Sequence, residues 1–105
     1  MRGDIYRFRA NKHAHGHEQR GTRYAVVVQA DYLNLSTLLV APTSTSARPC
    51  DFRPTITIDG TETRVLVEQM TAVNAETRLG DFAGRLDAEE LTELDRALAL
   101  VLGLF

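Results

Sequence analysis

Arg23 closes the densest group of chemically capable side chains in the sequence: His17, Glu18, Gln19, Arg20 and Arg23, set off by Gly16 and Gly21. A guanidinium is planar, permanently charged and able to donate several hydrogen bonds to phosphate oxygens. With a reference pKa above about 12 it serves near neutrality as positive charge and not as a base. Proton transfer falls instead to Glu18, or to His17 beside it, because an unperturbed imidazole titrates near pH 6.5. A second group, Thr43-Ser44-Thr45, offers three consecutive hydroxyls, each able to hydrogen-bond an anionic oxygen. The same run also suits a turn, since Ser and Thr hydroxyls bond readily to nearby backbone.

His13, His15 and His17 alternate, so an extended backbone would present all three on one face, the arrangement of a metal site. No carboxylate or cysteine stands at an obvious complementary spacing, and no native metal is expected. Cys50 is the single cysteine, which excludes an internal disulfide and a thiol cluster for zinc.

Net charge is −2, which argues against broad electrostatic attraction to a polyanion. The average hides an asymmetry: residues 1–64 hold nine Lys/Arg against six Asp/Glu, and residues 65–105 hold three against eight. A polyanion would therefore meet the first part. No apolar run, residues 25–28 included, is long enough to span a bilayer. The N-terminus carries Arg2 and Asp4 where a signal peptide would be apolar, so a cytoplasmic location is expected.

These groups need a scaffold, and 105 residues suffice for one domain around one core. Short β-type segments are expected at residues 4–8, 24–29, 38–40 and 55–58, each rich in β-branched or aromatic residues. Asp59-Gly60 supplies a turn, so residues 64–67 are expected to pair with residues 55–58 as a hairpin. Further strands are expected near residues 71–73 and 81–86. Residues 10–22 and 42–54 lack apolar periodicity and are expected as loops, the second because of Pro42, Pro49 and Pro54. At the C-terminus Asp87 reads as an N-cap with Glu90 three residues on. Leu91, Leu94, Leu98, Val101 and Leu102 follow at helical spacing, and Gly103 is the stop. A strand-rich body with one packing helix is an α+β arrangement.

The order of motifs resembles that of MazF/PemK-type toxins. Arg2-Gly3-Asp4-Ile5-Tyr6, then Gly16-His17-Glu18-Gln19-Arg20-Gly21-Thr22-Arg23, then Ala25-Val26-Val27-Val28 is similar to their opening strand, loop and apolar second strand. Val40-Ala41-Pro42-Thr43-Ser44-Thr45 is similar to the end of their third strand, and Thr63-Arg64-Val65-Leu66-Val67-Glu68-Gln69 to their later Val-x-x-Asp/Glu-Gln segment. Three positions depart from the family pattern: His17 replaces Ser, Tyr24 replaces Pro, and Ser44 stands where most members have Thr.

The resemblance implies an SH3-like β-barrel with a C-terminal helix, a homodimer, and a MazE-like antitoxin as partner. It implies metal-independent, cofactor-free, sequence-selective cleavage of single-stranded RNA, mRNA or tRNA, by attack of the 2′-hydroxyl. In that reading Arg23 stabilises phosphate charge, and Ser44 supplies the hydroxyl, with Thr43 or Thr45 taking its place if the alignment slips by one. Glu18 accepts a proton or orients Arg23. His17, Gln19, Arg20, Thr43, Thr45, Arg48 and Gln69 would contact RNA, Gln69 and Glu68 lying near the groove or the dimer interface. Tyr6 and Tyr24 are either base-stacking surfaces or barrel residues. The competing expectations are a CcdB-like toxin that shares the barrel and binds a topoisomerase without cleaving anything, and a catalytically silent interaction module.

Overall fold

The computed structural model describes residues 1–9 and 23–104. Seven strands, β1 (Asp4–Phe8), β2 (Tyr24–Val27), β3 (Leu38–Ser44), β4 (Thr55–Ile58), β5 (Thr61–Val65), β6 (Thr71–Val73) and β7 (Leu79–Arg85), form one curled antiparallel sheet. A short 3-10 helix (Val67–Gln69) precedes β6, a single helical turn α1 (Ala75–Arg78) precedes β7, and α2 (Ala88–Leu102) ends the fold. The sheet runs β4-β5-β3-β2-β1-β7, with β6 also paired to β3. This α+β half-barrel with a C-terminal helix is the expected architecture. Among the described residues no helix is long and apolar enough to cross a membrane.

Alternation along the strands sorts side chains onto two faces. Ile5, Val26, Ala41, Ile56, Ile58 and Val65 turn toward α2 and pack with its Leu94 and Ala97. The opposite face carries a second cluster of Ala25, Val27, Val40 and Val73, flanked by Tyr6, Phe8, Leu38 and Leu79.

Local chemistry accounts for the element ends. Asp87 accepts from Glu90 N at 2.8 Å while the Glu90 side chain accepts from Asp87 N at 3.0 Å, a reciprocal cap that satisfies two orphan donors of α2. Glu90 also accepts from the backbone N of Thr57 at 2.9 Å through its second oxygen. Asp59 and Gly60 both have positive φ, 51° and 80°, as a two-residue hairpin turn matched to strand twist requires. The hairpin therefore closes tightly, and β5 runs Thr61–Val65 instead of the expected 64–67, Val67 passing into the 3-10 helix.

The largest departure lies in β3, expected to end at residue 40 and observed to reach Ser44. Pro42 reads as a breaker because it lacks an N–H. Here it sits where β3 exchanges β6, paired through Val40, for β5, paired from Thr43, and its carbonyl accepts from Leu66 N at 2.8 Å. The missing donor thus falls at the change of partner and interrupts no pair of the ladder. In the other direction β2 is shorter than expected, ending at Val27.

Candidate active site

The register of the central strands decides which polar side chains meet. On one edge of β3, Ala25, Val26 and Val27 of β2 pair with Pro42, Ala41 and Val40. Carried two residues further, this register sets Arg23 opposite Ser44. The intermediate step is visible as a hydrogen bond, Thr43 Oγ1 donating to the Tyr24 carbonyl at 3.0 Å. On the other edge of β3, Ser44 pairs with Arg64 of β5, which in turn pairs with Thr55 of β4. Arg23, Ser44, Arg64 and Thr55 therefore form a row across four strands. By alternation the row lies on the sheet face opposite α2.

Ser44 is 8% exposed. Its Oγ accepts from the backbone N of Ser46 at 3.2 Å and of Ala47 at 3.1 Å, and stands 3.3 Å from Ser46 Oγ. The hydroxyl thus both holds the turn and belongs to a strand. Two incoming N–H groups occupy its lone pairs, so the hydroxyl proton is the part left to donate, with Ser46 Oγ at 3.3 Å as its acceptor within the fold. Thr43, its neighbour, turns the other way: it is 3% exposed, pairs with core Val65, and spends its hydroxyl on Tyr24. Thr45 and Arg48 are exposed beyond the end of β3.

Arg23 is half-buried just before β2, anchored by its carbonyl, which accepts from Phe8 N at 2.9 Å. Burial pushes its pKa below the ordinary guanidinium value. Its Nε is buried without a hydrogen-bond partner among the described residues. A buried unmatched donor is costly, and an anionic oxygen would satisfy it. Arg64 has the same character: half-buried, with a buried, unpartnered Nε. Among the described residues neither arginine makes an ion pair.

Glu68 and Gln69 lie on the 3-10 helix after β5. Glu68 pairs with Arg53, and Gln69 is exposed. Tyr6 packs edge-on against Phe82 with ring centroids 5.6 Å apart, and Tyr24 packs partly against the α2-facing core, so both are built into the fold. Cys50 is an exposed loop thiol. A cleft of about 470 Å³ between the β3–β4 connection and α2, lined by Arg53, Arg96, Asp51 and Glu93 among others, borders Thr55 at the far end of the row and balances its cations with acids. Among the described residues no cluster of three His, Cys, Asp or Glu could hold a metal. The expected contributions of His17, Glu18, Gln19 and Arg20, and the alternation of His13, His15 and His17, lie outside the described residues.

Arg64 is the residue that sequence reading passed over. It sits between buried Thr63 and Val65, so alternation alone puts it on the face away from the core. What alternation does not give is the strand beside it.

Comparison with known proteins brings in independent information. A family model described as PemK-like, MazF-like toxin of type II toxin–antitoxin system matches residues 1–102. A Mycobacterium tuberculosis protein named provisionally as a toxin is 41% identical over 104 residues, covering 99% of this chain and 98% of its own. Among solved structures, a mycobacterial endoribonuclease in complex with its cognate antitoxin superimposes with a TM-score of 0.80 at 18% identity, covering 100% of this chain and 96% of that one. The Mycobacterium tuberculosis toxin MazF-mt6 gives 0.76 at 16%, covering 97% and 98%. MazF from Deinococcus radiodurans gives 0.77 at 24%, covering 97% and 94%. At these identities the structural matches speak to the fold alone.

Proposed function

This chain belongs to the PemK-like, MazF-like toxins of type II toxin–antitoxin systems, and from that premise we propose that it is a metal-independent endoribonuclease that cuts single-stranded RNA. The observation that carries this reading is the juxtaposition of Arg23 and Ser44. A half-buried guanidinium whose Nε is unmatched among the described residues stands, by extension of the β2–β3 register, across one strand spacing from a hydroxyl whose lone pairs are already occupied.

Such a pair suits internal phosphoryl transfer. The ribose 2′-oxygen attacks the adjacent phosphorus, its proton passing to a base, and the P–O5′ bond breaks as O5′ gains a proton. The products are a 2′,3′-cyclic phosphate and a 5′-hydroxyl. Negative charge grows on the non-bridging oxygens, where Arg23 donates N–H groups in a partly desolvated setting that strengthens them. Ser44 turns its hydroxyl proton from Ser46 Oγ to the same phosphate and fixes its position. Glu18, by its place in the motif, is the base, and His17, Gln19, Arg20, Thr45, Arg48 and Gln69 contact the RNA.

The partner assignments have the same standing. The chain is proposed to act as a homodimer, for which exposed Leu100, Leu102 and Leu104 at the end of α2 offer apolar surface. A MazE-like antitoxin is proposed to inhibit it, as the mycobacterial endoribonuclease was solved with a cognate antitoxin.

The test is incubation of the purified protein with long single-stranded RNA in EDTA, followed by end-group analysis. Discrete fragments with cyclic phosphate and 5′-hydroxyl ends are expected. Intact RNA at stoichiometric enzyme would sink the reading and favour a non-cleaving, CcdB-like binder.

A further inference from the structure

We infer that Arg64 is a second cationic residue of the phosphate site, gripping the scissile phosphate from the side of Ser44 opposite Arg23. The inference rests on the endoribonuclease reading above and adds to it a residue to which the resemblance assigns no role. Three observations carry it. Arg64 is the register partner of Ser44, so the two side chains stand on one face in adjacent strands. Cross-strand partners on one face approach within about 5 Å at Cβ. Its Nε is buried, and among the described residues it has no hydrogen-bond partner and the side chain makes no ion pair. Finally, the row Arg23, Ser44, Arg64 is symmetric in its spacing: at roughly 4.8 Å per strand the two arginine backbones are on the order of 10 Å apart with the hydroxyl midway. From that separation an arginine side chain on each flank is long enough to reach a phosphate held at Ser44.

A purely structural role explains Arg64 less well. An arginine kept for fold stability would engage an acid or a carbonyl, as Arg53, Arg78 and Arg85 do through Nε at 2.7–3.0 Å. Placing a permanent cation where it is partly desolvated and unmatched costs stability, and an anionic ligand recovers that cost on binding. Two cations also match the chemistry: the pentavalent intermediate of 2′-hydroxyl attack carries more negative charge than the diester, so a second charged donor is worth most at that point. Arg64 forms no bond to phosphorus and moves no proton.

The experiment compares wild type, Arg64→Ala and Arg64→Lys, each shown to be folded by thermal unfolding. Arg64→Gln replaces the alanine variant should that one not fold. Single-turnover cleavage of single-stranded RNA in EDTA is measured with and without added guanidinium ion. The affinity for a 2′-O-methyl RNA, which cannot react, is measured against salt concentration. Arg64→Ala is expected to lower the cleavage rate on the order of 100-fold, as loss of one charged transition-state donor does. Arg64→Lys should restore part of that rate, since it keeps charge but loses the fork. Guanidinium ion should rescue Arg64→Ala and leave wild type unmoved, and the log–log salt slope of binding should shrink by about 0.7, one phosphate contact on a single strand. A folded Arg64→Ala with wild-type rate and slope overturns the inference. If wild type cleaves no RNA, the endoribonuclease reading falls by itself and the salt slope judges Arg64: a smaller slope keeps the phosphate contact, an unchanged one removes it.

Discussion

Arg53 grips a single oxygen of Glu68: its Nε at 2.9 Å and Nη2 at 2.8 Å both reach Oε2, while Oε1 is buried with no hydrogen-bond partner among the described residues. The pair ties the β3–β4 connection to the 3-10 helix that follows β5. Taking away the cation would leave a carboxylate about 25% exposed and already short of one partner, which is costlier than removing both groups together. Arg53→Ala is therefore expected to lower the melting temperature by several degrees, and Arg53→Ala with Glu68→Gln to recover part of the loss. A double-mutant cycle by thermal unfolding measures the coupling; additive effects would show that the pair contributes nothing.

Arg23→Ala is expected to reduce RNA cleavage by roughly 100-fold or more while the protein stays folded. Its Nε has no partner among the described residues, so its removal breaks no mapped contact. Native circular dichroism with lost cleavage is the expected pair of results. A folded variant within a few-fold of wild type would remove Arg23 from the mechanism.

For Ser44 the two roles of the hydroxyl predict two separable effects. Ser44→Ala leaves the N–H groups of Ser46 and Ala47 without their acceptor, a loss of about 1–2 kcal/mol in unfolding free energy. It should also slow cleavage at least tenfold. Ser44→Thr keeps the oxygen and is expected to preserve most of both. Stability lost with the rate intact would mean that the hydroxyl only holds the turn.

Asp4 gives the fold a pH dependence of definite sign. Burial alone would raise its pKa, but hydrogen bonds from the N-terminal ammonium at 2.8 Å and Arg85 Nε at 2.7 Å outweigh it and hold the carboxyl below its ordinary 3.8. A group depressed in the folded state contributes its stability fully above the unfolded pKa and loses it as pH falls through the folded one. Wild type should exceed Asp4→Asn by about 1–3 kcal/mol near neutrality, from two charge-assisted hydrogen bonds. That gap should close below about pH 4. Denaturant unfolding at stepped pH measures it; a gap that stays constant down to pH 2 would show that the carboxylate is not the source.

What could be read from the sequence was local. Asp87, Glu90 and Gly103 sit within one or two turns of the backbone groups they serve, so helix α2 and its ends follow from spacing alone. Asp59-Gly60 announces its turn because positive φ suits few other residues. Arg23 stood out only because a run of motif residues precedes it. The pairing of Ser44 with Arg64 was not legible, since it depends on the register of strands twenty residues apart in sequence, and register is set by the packed core and not by either residue. Pro42 misled for a physical reason: its defect is harmless only where a strand changes neighbours, and a sequence does not mark that place.

The second oxygen of Glu90 has a consequence for how copies of this chain behave toward one another. β4 is an outer strand, and the N–H of Thr57 points away from β5 into the space where a foreign strand would dock. By accepting that N–H, the helix cap also closes the sheet rim to strand addition, the usual first step of edge-to-edge aggregation. At the opposite rim, β1 and β7 pair with two register shifts that deny an incoming strand a regular ladder. Glu90→Ala would thus be expected to loosen the start of α2 and, at high concentration, to make the protein stick to itself through β4.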